Sequence, residues 1–436
     1  MMPFSVTLAQ MLDARERRAK LQTEFLTGAN ASHCLVSLSL NIAGDVKRTP
    51  KTLLLFRQGL KLFDAFGFFE VKRCVVDEIT GTEALILLEE PAQKVKAATE
   101  RIEDAFPAAR LFDFDVLDHT GTKLSRKEPR KCLVCGGPAA VCARSRAHGL
   151  DAVKAAIDAL LDEFCTETLA YCAHLALERE LRTTPKPGLV DEHNNGAHMD
   201  MDVPLFLKSA ASLVPYFQTA VRFGISGAGM EPLKAEGMNA EHVMFEATNG
   251  VNTHKGMIYS MGLLLYGMGR ALETGADAIK IAAQLAQSDA KDRLAHAKTN
   301  PDTNGAAVYA KTGATGAVGE AAKGFPHAVF CAERLADYQT AGEPNAGALA
   351  LCDTMAILED TNLLHRGGRN GLAFVQSEAK RIAAMPVPER ETALSAFDRA
   401  LISRNLSPGG SADMLALAYL LDAWYTLQKP WKEAGA

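Results

Sequence analysis

The sequence predicts a multidomain chain, with an N-terminal α/β (α+β) domain over residues 1–150 followed by a larger all-α domain over residues 151–436. Three observations carry this reading. Before residue 150, short runs rich in strand formers alternate with helical segments. After it the strand signal nearly vanishes, and Ala and Leu dominate with apolar residues at helical spacing. A chain of 436 residues is also longer than one core ordinarily organises.

In the first domain, CLVSLSLNI (34–42) alternates as a half-buried strand does, and 71–79, 83–90 and 110–118 read the same way. Helices are expected at 8–26, 52–66 and 92–105. The second domain opens on one long helical pattern at 151–181, with Asp151 placed to cap it. Further helical stretches follow at 203–224, 256–275, 277–287, 346–360 and 411–428, with Gly and Pro at the joins.

Composition excludes several classes. Net charge is −5 and the pI near 6.2, so no global excess of cations points to nucleic acid or an anionic membrane. No apolar run of about eighteen residues is present, so no membrane span is expected. The opening MMPFSVTLAQMLDARERRAK lacks the plan of a secretory signal. Nine irregularly spaced cysteines read as free thiols in a reducing cytoplasm.

The first domain carries three chemical features. NIAGDVKRTPKT ends a strand in a basic turn with Lys47, Arg48 and Lys51, suited to a phosphate or simply solvated. In FDFDVLD the strand period puts Asp113 and Asp115 on one side and Phe112, Phe114 and Val116 on the other. Two carboxylates so placed suit Mg²⁺. In RKCLVCGGPAAVCARSRAHGL, Cys132, Cys135, Cys142 and His148 have the spacing C-x2-C-x6-C-x5-H, which suits Zn²⁺ or leaves free thiols in a loop. Arg144 and Arg146 make that segment cationic and suited to a pyrophosphate or an acidic partner.

The second domain is richer. TPKPGLVDEHNNGAHMDMD sets Lys186, Asp191, Asn194, Asn195, His198, Asp200 and Asp202 in a polar loop that Pro185 and Pro187 bar from ordinary helix. Asn252, Thr253, His254 and Lys255 precede a long apolar helix, where hydroxyl, imidazole, ammonium and free N–H groups suit a polyphosphate. The glycine-rich run GATGAVGE brings Gly316, Gly319 and the acid Glu320. LEDTNLLHRGGRNG places Asp360 and Asn362 at a helix end, for Mg²⁺ or an arginine. SPGGSADMLA makes a turn with Gly409 and Gly410 free to face a ligand, Ser411 as N-cap and Asp413 in the first turn.

LSLNIAGDVKRTPKTLLLFRQGL, TGTEALILL, RLFDFDVLDHTGTKLSR and RKCLVCGGPAAVCARSRAH, in that order, resemble the apo-citrate-lyase phosphoribosyl-dephospho-CoA transferases. TPKPGLVD…NNGAHMDMD, NTHKG, GAVGEAAKGFP, EDTN and SPGGSADMLA resemble the triphosphoribosyl-dephospho-CoA synthases. The resemblance implies a fused enzyme. Its synthase joins ATP and dephospho-CoA with loss of adenine. Its transferase moves phosphoribosyl-dephospho-CoA to a serine of the apo acyl carrier subunit of citrate lyase, with loss of pyrophosphate. From the demands of that reaction and the carboxylates this chain supplies, Glu320 or Asp200 is expected as base, with Asp191 and His198 in the catalytic loop. Asp360 and Asp202 would hold Mg²⁺ in the synthase, and Asp113 and Asp115 in the transferase. Lys186, Asn194, Asn195, Asn252, Thr253, His254 and Lys255 would bind the nucleotides. Lys47 and Arg144, with Arg146 nearby, would face the charge developing in transfer. Lys311 stands where the synthase pattern has Arg, keeping charge without the guanidinium fork. Two alternatives stay open: a nucleotide-binding, carrier-docking module with an inactive first domain, and a helical hydrolase of another N-glycosidic bond. Nothing in the sequence specifies an oligomeric state.

Overall fold

The structure is a computed structural model that describes residues 5–301 and 303–429. The chain forms two compact units. The first comprises Met1–Cys165, Leu272–Gly275 and Leu427–Ala436, and the second Thr166–Ala271 and Ala276–Thr426.

In the first unit the order is α1 (Leu8–Leu26), β1 (Cys34–Leu40), α2 (Pro50–Asp64), β2 (Glu70–Glu78), β3 (Gly81–Leu88), α3 (Ala92–Glu103), a 3-10 turn (Pro107–Leu111), β4 (Phe112–Asp118) and α4 (Ala139–Ser145). Local signals start the helices. Thr7 and Gln10 form a capping box on α1, and Thr49 with Thr52 forms one on α2, where Pro50 uses a position whose N–H is unpaired in any case. The four strands form one antiparallel sheet in the order β2-β3-β1-β4, so the unit is α+β rather than parallel α/β. On one face Phe25 of α1 packs with Leu35, Leu85, Leu87 and Leu117. On the other, α2 comes so close to β4 that a Cβ on Gly59 would lie 2.6 Å from Phe112, and Phe63 stacks on Phe114 at 5.9 Å.

Helices then run α5 (Leu150–Arg182), α6 (Val203–Ser212), α7 (Val214–Ser226), α8 (Met230–Ala247), α9 (Lys255–Thr274), α10 (Ala278–Thr299), α11 (Asn304–Thr312), α12 (Gly316–Ala322), α13 (Pro326–Thr340), α14 (Ala346–Met355), α15 (Thr361–Ala383), α16 (Val387–Ser403) and α17 (Gly409–Gln428). Every strand among the described residues lies in the first unit.

Several sequence expectations are corrected. The stretch at 203–224 is two helices, broken where Pro215 removes a donor beside Leu213. Polar α8 was not anticipated, since it buries only Leu233, Ala240 and Met244. Ser411 does not cap α17, which already begins at Gly409 and so carries Asp413 past its first turn, and Asp151 lies inside the first turn of α5.

Candidate functional site

Residues 183–202, between α5 and α6, fold around buried charge. Lys186 is 2% exposed and donates to the buried Glu180 carboxylate at 2.5 Å. Losing one partner of such a pair leaves an uncompensated charge, so the two hold the loop to α5. Asp191, also buried, accepts the Lys186 N–H at 2.9 Å and those of His193 and Asn194 at 2.8 and 3.0 Å. From α16, Asp398 accepts the Gly188 N–H at 2.9 Å and the Asn194 amide at 3.0 Å. Gly188 has φ +73°, and a Cβ there would lie 2.5 Å from the Leu406 carbonyl oxygen, so a side chain is excluded twice over.

His254 closes the same region from the start of α9. It is buried, with Nδ1 2.7 Å from Ser209 Oγ, which in turn is 2.6 Å from Thr253 Oγ1. Phe206 packs edge-on against its ring at 5.2 Å. Burial, then the charge of Lys186, push its pKa down to about 4, so the imidazole is neutral at pH 7. Asn252 accepts the Lys255 N–H at 3.2 Å, and the Lys255 ammonium turns to Glu241 of α8 at 2.9 Å.

Asp360 joins two helix starts. One oxygen accepts the N–H groups of Asn362 and Leu363 (2.9 and 3.3 Å), and the other accepts the N–H and hydroxyl of Ser411 (2.8 and 3.1 Å). Its roughly four lone-pair sites are thus taken. Burial still raises its pKa. Gly409 and Gly410 permit this approach. Cβ atoms there would lie 2.6 Å from the Asn362 amide nitrogen and 3.0 Å from the Asp360 carboxyl carbon.

Asp413, just past the first turn of α17, is different. It is partly buried, and among the described residues no hydrogen bond or ion pair reaches its carboxylate. A Cβ on Gly256 would lie 3.1 Å from its Oδ2, which puts the carboxylate against the first turn of α9. Burial, then the charges of Asp360 and Glu180, hold its pKa well above the usual carboxylate range. The N-terminal ends of α9 and α17 therefore meet here, with α15 tied in through Asp360. Converging helix N-termini present partial positive charge and free N–H groups. Neither Glu180 nor Asp413 was among the site residues expected from sequence. The available signal was one acid at the head of ADMLALAYLL, a helix otherwise buried nearly all round.

The remaining synthase-type positions make their own local contacts. His198 Nε2 is 2.8 Å from Ser407 Oγ and its Nδ1 3.2 Å from the Arg366 guanidinium; burial, then Arg366, lower its pKa. Asp200 is exposed, 4.0 Å from His198 Nδ1. Asn195 and Asp202 are exposed, and Asp202 caps α6 through the Leu205 N–H at 2.9 Å. Gly316 abuts Thr361, with a Cβ contact of 3.2 Å, beside Asp360. Gly319 would drive a Cβ to 1.8 Å from Thr315 Oγ1. Glu320 is buried and caps α13, accepting the N–H groups of His327 and Ala328 at 2.7 and 3.4 Å and facing His327 Nδ1 at 2.7 Å.

In the first unit the β4 pleat is as expected, with Phe112, Phe114 and Val116 buried and Asp113 and Asp115 half-buried opposite Ser39 and Ser37. Asp115 pairs with Lys123, and Asp113 lies 3.4 Å from Arg130. Arg130 and Arg126 both reach the buried Glu103 at 2.6 Å, and Glu103 accepts the Phe114 N–H at 3.0 Å. The Lys47 ammonium donates to the Ile42 carbonyl at 2.5 Å; burial, then Arg15, lower its pKa. Arg144 and Arg146 are exposed at the end of α4. The ligand atoms of Cys132, Cys135, Cys142 and His148 all lie within 4.8 Å of one another. Backbone N–H groups of Cys135 and Val134 bring the Cys132 thiol down to about 6.

Comparison with known proteins agrees with this division. The family described as apo-citrate lyase phosphoribosyl-dephospho-CoA transferase (CitX) matches residues 6–164. That described as ATP:dephospho-CoA triphosphoribosyl transferase (CitG) matches 166–432. Protein CitXG of Haemophilus influenzae is 35% identical over 94% of this chain and 95% of its own length. The chain belongs to the CitXG family. Protein CitXG of Leuconostoc mesenteroides subsp. cremoris is 32% identical over 95% of this chain and 97% of its own. The 2-(5''-triphosphoribosyl)-3'-dephosphocoenzyme-A synthase of Haemophilus ducreyi is 38% identical over 65% of this chain and 97% of its own. As a CitX–CitG fusion, the protein is a bifunctional transferase of citrate lyase prosthetic-group assembly. No described helix is long and apolar enough to cross a membrane.

Proposed function

We propose that the synthase half, residues 151–436, works where Lys186, His254, the first turn of α9 and Asp413 meet, and that the transferase half, residues 1–150, works on the Asp113 and Asp115 face of the sheet. One observation carries the synthase assignment. Of Glu180, Asp191, Asp360, Asp398, Glu320 and Asp413, only Asp413 accepts no donor from the described residues. A carboxyl kept partly from water with no protein partner, at meeting helix starts, is poised for proton transfer to a ligand.

In the proposed reaction the 2′-hydroxyl of dephospho-CoA attacks the ribose C1′ of ATP. The bond from C1′ to adenine breaks, and its electron pair stays on the base. Protonated Asp413 donates to the departing adenine. The hydroxyl proton goes to a carboxylate, for which Glu320 and Asp200 are the candidates from sequence. Lys255 and the α9 N–H groups face the triphosphate, and Lys186, buried and paired with Glu180, holds the loop to α5 rather than meeting the ligand as the sequence suggested. Neutral His254 holds the start of α9 through Ser209 and Thr253, while Asp191, Asn194, Asn195 and His198 shape the loop. Mg²⁺ would supply charge to the triphosphate oxygens. The exposed oxygens of Asp200 and Asp202 suit that role better than Asp360, whose oxygens already accept four donors.

In the transferase the hydroxyl of a carrier serine attacks the phosphorus bearing the pyrophosphate leaving group. Asp113 and Asp115 offer hard oxygen donors to Mg²⁺, and Lys47, Arg144 and Arg146 face the pyrophosphate. The carrier is the acyl carrier subunit of citrate lyase. ATP and dephospho-CoA as substrates, together with nine unbridged cysteines, support a cytoplasmic setting.

The test is mass spectrometry of ATP, dephospho-CoA, Mg²⁺ and apo-carrier incubated with the chain. The expected result is free adenine and a gain of phosphoribosyl-dephospho-CoA on one carrier serine. Adenine release without dephospho-CoA would replace the synthase reading with a hydrolase.

A further inference from the structure

We infer that Cys132, Cys135, Cys142 and His148 bind a zinc ion that anchors Arg130 beside Asp113, so that this metal supports carrier labelling and not precursor synthesis. The link to labelling rests on the reading of Asp113 as part of the transferase centre. The metal site itself does not.

The donors decide the metal. Three thiols and one imidazole suit Zn²⁺, whereas Mg²⁺ takes oxygen ligands. The geometry fits. Bonds of about 2.3 Å around a tetrahedral zinc place two thiolate sulfurs about 3.8 Å apart. The sulfurs of Cys135 and Cys142 are 3.5 Å apart, and all four ligand atoms lie within 4.8 Å of one another. His148 Nε2 is buried without a hydrogen-bond partner among the described residues. An orphaned buried ring nitrogen is destabilising unless something accepts its lone pair or its proton.

The segment also lacks packing that would hold it together. No residue from 119 to 156 is buried, and α4 buries none of its side chains. A segment with no core of its own needs a staple. The backbone supplies the rest of a metal knuckle. Gly136 N–H donates to the Cys132 carbonyl at 3.0 Å, with Gly136 at φ +72°, and Cys132 N–H donates to the Gly137 carbonyl at 2.6 Å. Cys142 comes from α4, and His148 follows the left-handed residue Arg146 that ends that helix.

The knuckle is joined directly to the sheet. Ala139 N–H donates to the Arg130 carbonyl at 2.9 Å, Lys131 bridges to Pro138, and Arg110 donates to the Lys131 carbonyl. The Arg130 side chain then reaches Glu103 at 2.6 Å and Asp113 at 3.4 Å. Folding of residues 132–148 around zinc thus fixes the residue that faces one of the two strand carboxylates.

The experiment uses the full chain purified without added metal. Elemental analysis is expected to give about one zinc per chain, and Co²⁺ exchange the visible and thiolate charge-transfer bands of a tetrahedral sulfur-rich site. Cys142→Ser should lose the metal and label carrier about 10–100-fold more slowly, the range seen when a metal site's support is disturbed. Its rate of adenine release should be unchanged, which also reports that the chain is folded. Cys142→His should keep both zinc and labelling. Zinc-free protein with a Cys135–Cys142 disulfide by mass would overturn the site. Full zinc with unchanged labelling by Cys142→Ser or by Arg130→Ala would overturn the coupling. Normal labelling by Asp113→Asn, with zinc present, would instead overturn the reading of the transferase centre.

Discussion

Asp413 and His254 show how burial sets the chemistry of single residues in the synthase half. Asp413 has a raised pKa, so the unfolded chain releases its proton first as pH rises. Its burial therefore weakens the fold progressively above the unfolded value near 3.8. Asp413→Asn removes that penalty while keeping the shape. The thermal midpoint of the variant should exceed wild type by a margin that widens from pH 5 to pH 8. Adenine release should fall by about 10²–10⁴-fold, the usual contribution of a proton-transfer group, with ATP affinity by calorimetry little changed. If Glu320→Gln shows the larger rate loss and Asp413→Asn almost none, proton transfer belongs to Glu320. His254 has the opposite linkage. Its folded pKa of about 4 lies below the unfolded 6.5, so the native state loses stability as pH falls through that window. The loss is on the order of 3 kcal/mol at its full extent. His254→Gln should flatten the acid side of the stability profile between pH 6.5 and 4, and an unchanged acid limb would mean that the imidazole takes up its proton in the folded state.

At the scale of elements, the proposed synthase centre is a set of helix starts tied by carboxylates. Asp360 serves two of them, so its removal should cost about 1–4 kcal/mol, twice the range for one cap. Asp360→Ala should lower the unfolding midpoint and slow adenine release through misplacement of α17. A variant of wild-type stability would show that α15 and α17 meet without this carboxylate. The start of α9 and the β4 pleat were readable from NTHKG ahead of an apolar helix and from alternation in FDFDVLD. The Asp360 bridge was not, because Asp360 and Ser411 lie 51 residues apart in the chain. Gly409 and Gly410 looked like ligand-facing turns for the same reason. Their Cβ positions are filled by Asn362 and Asp360, which only packing reveals.

The whole molecule pairs two reactions in which the product of one centre is the substrate of the other, on units that use different folds. The activities should therefore separate by mutation. Asp113→Asn combined with Asp115→Asn changes one face of the antiparallel sheet and nothing in the helical unit. The expected outcome is accumulation of free triphosphoribosyl-dephospho-CoA with the carrier unlabelled, read by mass spectrometry. Normal labelling would remove both carboxylates from the transferase mechanism.

The sequence alone determined what depends on neighbours in the chain. It marked the fold class of each half, the strands and several helices, the faces of β4, the spacing of the Cys3His group and the ordered motifs of both families. Hydrophobic period, turn residues and caps act over a few positions, so they survive in a linear reading. Tertiary structure decided which polar groups already have partners. Glu320 turned out to cap α13, Lys186 to pair with Glu180, and Asp360 to hold α17. Asp413 was left without a donor among the described residues. Whether a carboxylate is available to a substrate depends on donors contributed by helices far away in sequence, and on how far burial strips away water that would otherwise serve.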